Sequence, residues 1–282
     1  MFLGIRSHDL KIDNFLTESQ LADRVEECGL DGLQLTCFKT FEDIKQQPGS
    51  MDADRAKKIT SAISKKGKSI FLLAAYFNPV HSDRQKTQRC IQVFKEYLKL
   101  SKDFGANVVA SETGSYNDDL WTYNPKNRTK EALAKVIDTF KDLAQAAKGY
   151  GVKAGIEGAA GHVCFNVNTL KQAVQEIGTD NLTVIFDIYN FLEIDNCHSY
   201  MAIVEEGLKA FEGNIHCFHM KDFAVLDGKL KQTPIGRGQL DYRAFLKAIK
   251  DYDKNAILIL EGVTGDNIIP SANYIKDIWH SV

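Results

Sequence analysis

Eight short β-prone runs alternate with eight segments of helical period along this 282-residue chain, and nothing interrupts the alternation. The runs are Phe2–Ser7, Gly32–Cys37, Ser69–Phe77, Asn107–Ser111, Val152–Glu157, Leu182–Asp187, Asn214–Lys221 and Ala256–Glu261. Between and after them lie helical patterns at Thr17–Cys28, Asp52–Lys66, about Asp83–Phe104, Thr129–Tyr150, Thr169–Ile177, Ser199–Phe211, Asp241–Asp251 and about Ile269–Trp279. Local signals agree with these boundaries. Thr17-Glu18-Ser19-Gln20 has the form of a capping box, and Gly67 and Gly105 supply the left-handed stops that end helices.

Strands that alternate with helices are joined by right-handed crossovers and lie parallel. An open doubly wound sheet shares that order. Here no Gly-rich dinucleotide fingerprint follows the first run, and no Gly-x-x-x-x-Gly-Lys phosphate loop occurs. The count of eight therefore predicts a closed (β/α)8 TIM barrel, which typically takes about 250 residues. With no Pro/Ser/Gly-rich linker or internal repeat, residues 1–282 read as a single domain.

Composition excludes several function classes. A net charge of -2 with Lys and Arg spread along the chain leaves no footprint for nucleic acid, so none is expected as a partner. The longest apolar stretch, Ile70 to Phe77, is far short of the ~20 residues of a membrane span. No secretory leader is readable at Met1-Phe2-Leu3-Gly4-Ile5-Arg6, so the default location is cytoplasmic. The six cysteines form no Cys-x-x-Cys pair and are expected as reduced thiols. Oligomeric state is not readable.

The last four runs each carry a metal-type ligand at or near their ends: Glu157, Asp187, His219, which closes the stretch Ile215–His219, and Glu261. In a parallel barrel all strands finish on one face, so these residues converge despite their separation in sequence. Parity agrees with this. Side chains alternate along a strand, which puts Glu157 on the row of Gly155, Asp187 on that of Ile185, His219 on that of Cys217, and Glu261 on that of Ile259. The same rule turns His216 outward, toward the helices. Three carboxylates and one imidazole suit one divalent ion, with Mn²⁺, Mg²⁺, Co²⁺ and Zn²⁺ all compatible. The plainer alternative is that each residue merely ends a strand at the solvent, which is common for any one of them.

Further groups cluster near the strand ends. Lys221 shares a face with His219. Glu112 follows the fourth run, and Tyr76 and Asn78 close the third. Arg237 sits between Gly236 and Gly238 after the seventh run, where barrels often hold a phosphate on backbone N–H groups.

Several of these segments are similar to the xylose isomerase-like barrel superfamily, particularly its sugar phosphate isomerase/epimerase-like members. They are Ala154-Gly155-Ile156-Glu157-Gly158, Phe186-Asp187-Ile188-Tyr189-Asn190, His219-Met220-Lys221-Asp222, Gly236-Arg237-Gly238-Gln239-Leu240-Asp241 and Leu260-Glu261-Gly262, with Gly4-Ile5-Arg6-Ser7-His8-Asp9 and Ser111-Glu112-Thr113-Gly114-Ser115. The resemblance implies one metal held by Glu157, Asp187, His219 and Glu261. It also implies that Glu157 and Glu261 move protons on opposite faces of a small polyhydroxy carbonyl substrate, through an enediolate. The chain departs from the epimerase pattern at Val163, where a glutamate is usual, and at Asn190, where a histidine is usual, so its substrate contacts differ. His8 and His162 are candidates to replace a missing polar contact. The same ligand set would also serve a lyase resembling inosose dehydratase, whose product has lost water. A metal-dependent phosphodiester hydrolase and a non-catalytic sugar-binding protein are the remaining alternatives.

Overall fold

The first run forms β1 (Phe2–Arg6), which pairs in parallel with β2 (Gly32–Leu35) on one side and β10 (Ile257–Leu260) on the other. That pairing closes a ring with β3 (Ser69–Ala74), β4 (Val108–Glu112), β5 (Lys153–Glu157), β6 (Leu182–Asp187) and β7 (Ile215–Met220), in the order β1-β10-β7-β6-β5-β4-β3-β2. In this computed structural model, which describes residues 1–11 and 14–282, the chain is thus a (β/α)8 barrel. The helices outside it are α1 (Glu18–Glu27), the single turn α2 (Cys37–Thr40), α3 (Ala53–Lys65), α4 (Arg84–Leu100), α5 (Lys130–Tyr150), α6 (Val167–Ile177), α7 (Tyr200–Ala210), α8 (Tyr242–Tyr252) and α9 (Ile268–Ser281). None of the described helices is long and apolar enough to cross a membrane.

Helix α8 illustrates why these segments form where they do. The Asp241 side chain accepts from the Arg243 and Ala244 amides at its start, and Tyr242, Phe245, Leu246 and Ile249 repeat on one buried face. Each such side chain contributes about 1.5–3 kcal/mol by leaving water. The capping box is present at α1, where Thr17 and Gln20 cap each other.

Inside the ring, Leu72, Val108, Ala110, Ile185, Cys217 and Ile259 form a separate apolar layer. Three of them are the row mates of Asp187, His219 and Glu261, so these side chains lie over the lumen as the parity argument expects. Gly32 is needed here for close approach: a Cβ there would lie 2.2 Å from the Ser69 carbonyl oxygen and 2.8 Å from the Phe71 ring.

Strict alternation fails at two bulges. Between β2 and β3 the register passes from Ile70 to Leu72, and between β6 and β7 from Ile215 to Cys217, leaving Phe71 and His216 as the extra residues. His216 consequently does not turn toward the helices. Its Nε2 lies 2.9 Å from the Phe71 carbonyl oxygen, and β3 and β7 stand opposite each other in the ring, so this bond crosses the barrel base.

A hairpin that the strand–helix alternation did not predict follows β7. Strands β8 (Asp222–Leu226) and β9 (Lys229–Thr233) pair antiparallel around Asp227 and Gly228, both at positive φ. That conformation is the two-residue turn that Asp-Gly favours. Other boundaries shift slightly: β2 stops at Leu35 because Cys37 starts α2, and β4 extends to Glu112.

Candidate metal centre

Glu157 and Asp187 are the last residues of β5 and β6, His219 is the fifth residue of β7, and Glu261 directly follows β10. Register brings them level, since Asp187 and Ile259 both pair with His219. All four are buried, and one potential ligand atom from each lies within 4.8 Å of the others. His219 Nδ1 is 2.7 Å from Glu261 Oε2, 3.2 Å from Glu157 Oε1 and 3.5 Å from Asp187 Oδ2.

Two cations brace this cluster from one side. Lys221 Nζ is 2.7 Å from both Asp187 Oδ2 and Glu261 Oε1, and it donates to Asn190 Oδ1 at 2.9 Å. Arg6 donates through Nη1 to Glu261 Oε1 at 2.7 Å while its other two nitrogens, Nε and Nη2, donate to Asp9 at 2.8 and 3.0 Å. Glu157 takes different partners: the Asn190 amide at 2.9 Å on Oε1 and the Tyr76 hydroxyl at 3.3 Å on Oε2.

These surroundings push the carboxyl groups apart. Burial alone would raise Glu261, but Lys221, His219 and Arg6 hold it well below the usual carboxylate range. Burial raises Glu157, against the pull of His219. Glu112, beside Glu157 in register, is raised to about 8 by burial and by the charges of Glu157 and Glu261. Burial disfavours a charged His219, yet Glu261 and Glu157 outweigh it and raise that imidazole well above its ordinary value.

The donor set fits a divalent ion. Asp187 Oδ2 and Glu261 Oε2 are buried and make no well-aligned hydrogen bond among the described residues, although Lys221 Nζ and His219 Nδ1 each lie 2.7 Å away from one of them. Lys221 and Arg6 compensate Asp187 and Glu261 from outside, while the mixed oxygen and nitrogen atoms that face one another are the ligand types a borderline divalent metal takes.

The remaining sequence-predicted residues divide into two groups. Lys221, Asn190, Tyr76 and Glu112 surround the cluster. His8 is half-buried near Arg6 and Lys39, and burial followed by the Arg6 charge lowers its pKa to about 4. His162 is buried against Trp121 at 5.4 Å, also lowered to about 4 by burial, and has no bond to any of the four ligands. Asn78 instead braces a loop, donating to the Ser115 and Asp118 carbonyls. Val163 packs in the buried core and bonds through its backbone to Gly114.

The Gly236-Arg237-Gly238 loop differs most from expectation. Its amides at Gly236 and Gly238 both donate to Asp222 Oδ2 at 2.9 Å, and Phe223 and Leu240 donate to Oδ1 at 2.8 and 3.2 Å. The anion that these glycines admit is the buried Asp222 carboxylate, so the backbone amides are not open to a substrate phosphate. Arg237 is exposed and makes no ion pair with the cluster among the described residues. Replacing Asp222 with Ala should cost about 3 kcal/mol or more, because several buried N–H groups lose a charged acceptor. Urea unfolding measures this, and a loss under 1 kcal/mol would mean that the loop finds other acceptors.

Sequence reasoning missed Arg6 and Gln34 as members of the site. Gln34 carried a signal: a polar residue on the interior row of an otherwise apolar strand, here fully buried.

Fold and site together define a parallel β/α barrel with a carboxylate-rich, metal-type centre at the C-terminal ends of its strands. The chain belongs to the xylose isomerase-like TIM barrel family, whose model matches residues 22–278. A probable L-ribulose-5-phosphate 3-epimerase of Mycoplasma pneumoniae is 22% identical over 184 residues, 65% of this chain and 55% of that protein. The chain spans 66% and 55% of the lengths of the curated relatives it matches. Among solved structures, a D-tagatose 3-epimerase-like protein superposes with a TM-score of 0.78 at 18% identity, covering 100% of this chain and 98% of the other. The IOLI protein with a bound zinc atom gives 0.75 at 18% identity, covering 100% and 99%. At such identities the structural likeness establishes the fold alone.

Proposed function

We propose that this protein is a divalent-metal-dependent isomerase or epimerase of a small polyhydroxy carbonyl compound, a sugar or sugar phosphate. The observation that carries the reading is the convergence of Glu157, Asp187, His219 and Glu261, all buried, with one potential ligand atom from each within 4.8 Å of the others. A bound divalent ion would supply Lewis acidity to a substrate carbonyl and its neighbouring hydroxyl, favouring enediolate formation.

The chain's own groups then divide the work. Glu157, which takes only neutral hydrogen-bond donors besides His219, is the stronger base and takes the carbon-bound proton. Glu261, with Lys221 and Arg6 both on Oε1, is the weaker base and the natural partner for the opposite face. Glu112, raised to about 8, is protonated at neutral pH and can donate to a substrate oxygen. The buried Lys221 offers a positive charge to the developing oxyanion.

Proton exchange tests the reading without knowledge of the product. Metal-loaded protein in D₂O, offered a panel of ketoses, aldoses and inososes with their phosphates, is expected to place deuterium beside the carbonyl of at least one compound, read by NMR. Exchange with loss of water would assign the lyase instead. No exchange anywhere in the panel would remove the enolising function.

A further inference from the structure

We infer that Gln34 is a positioning residue for this centre, dictating which ring nitrogen of His219 carries hydrogen. The inference rests on the metal-site reading above and concerns a residue outside the ligand set. Gln34 is on β2, three strands from β7 around the ring, and is fully buried. Its amide makes two bonds: across the lumen Oε1 lies 2.8 Å from His219 Nε2, and toward the neighbouring strand β3 Nε2 lies 2.7 Å from the Tyr76 hydroxyl.

The direction of every bond in this chain follows from its far end. The Tyr76 hydroxyl donates to Glu157 Oε2 at 3.3 Å and spends its one hydrogen there. The Tyr76 oxygen therefore accepts from Gln34, which must present its NH₂ to the tyrosine and its carbonyl to the histidine. A carbonyl only accepts, so His219 Nε2 is the nitrogen that bears hydrogen. Nδ1 is then the nitrogen turned toward the three carboxylates, free to give up its own hydrogen to them when a cation takes its place.

That arrangement is suited to a cation. Left alone, the carboxylates draw a hydrogen onto Nδ1, where it occupies the ligand position. Gln34 opposes this by offering a fixed acceptor on the far side of the ring, and outer partners of this kind are typically worth 10–100-fold in metal affinity.

The test uses the full chain and Zn²⁺, with affinity measured by chelator competition and the His219 tautomer read from ¹⁵N-imidazole NMR of metal-free and zinc-loaded protein. Gln34→Leu removes the acceptor and should weaken zinc binding about 10–100-fold. Gln34→Glu keeps an acceptor for Nε2 and should restore affinity to within about threefold of wild type. Zinc-loaded wild type should show hydrogen on Nε2. Unchanged affinity in Gln34→Leu overturns the inference, as does equal weakening in both variants, which would mean a packing role. Should Gln34→Leu fail to fold, hydrogen found on Nδ1 in the zinc-loaded wild type still overturns it. Wild-type protein that binds no divalent ion would instead strike down the metal reading itself.

Discussion

Asp187→Ala and His219→Ala should each abolish stoichiometric metal in the purified protein, and with it all substrate deuterium exchange. Each replacement deletes one ligand from a cluster whose ligand atoms lie within 4.8 Å of one another. Loss of an outer partner already costs about 10–100-fold in affinity, so loss of a direct ligand should exceed about 100-fold. The two variants fail for different reasons. His219→Ala leaves Glu157, Asp187 and Glu261 facing one another with no imidazole between them, whereas Asp187→Ala frees Lys221 from one of its two carboxylate partners. Elemental analysis of protein purified with Mn²⁺ or Zn²⁺ reads the outcome, with circular dichroism as the folding control. Folded variants that keep one equivalent of metal would remove the centre from these residues.

Glu157→Gln should separate proton transfer from ligation. An amide oxygen still coordinates but is no base, so metal should remain while deuterium exchange falls about 10²–10⁴-fold, the usual worth of a positioned general base. Glu261→Gln should behave differently. It also weakens exchange, but it removes the charge that pairs with both Arg6 and Lys221, and breaking buried pairs of this kind costs about 3–5 kcal/mol. A lowered melting temperature should therefore accompany its lost activity and be absent in Glu157→Gln. Wild-type exchange rates in both variants would move the base elsewhere, with Glu112 the next group to test.

Much of the site was legible in the chain because two local rules suffice for it. Parallel strands share one direction, so their C-terminal residues meet; side chains alternate, so Glu157, Asp187, His219 and Glu261 fall on rows facing the lumen. The hairpin was legible too, since Leu226-Asp227-Gly228-Lys229 carries the strongest short hairpin signal, but a reading tuned to the strand–helix beat passed over it.

What the sequence by itself determined is the order of strands and helices, the closed (β/α)8 barrel, and the ligand types at four strand ends, all consequences of short-range periodicity. Only the tertiary structure decided which partners each group finds. The bulges at Phe71 and His216 arise where the closing ring must reconcile the registers of neighbouring strands, and they redirect His216 into the barrel base. Asp222 claims the Gly236 and Gly238 amides because it is the carboxylate folded beneath them, although an isolated Gly-Arg-Gly invites a phosphate. Gln34 meets His219 across 185 positions of chain, and Arg6 meets Glu261 across 255. A buried donor or acceptor must be paired by whatever lies within bonding distance, and that distance is set by the closure of the whole barrel rather than by any stretch of sequence around it.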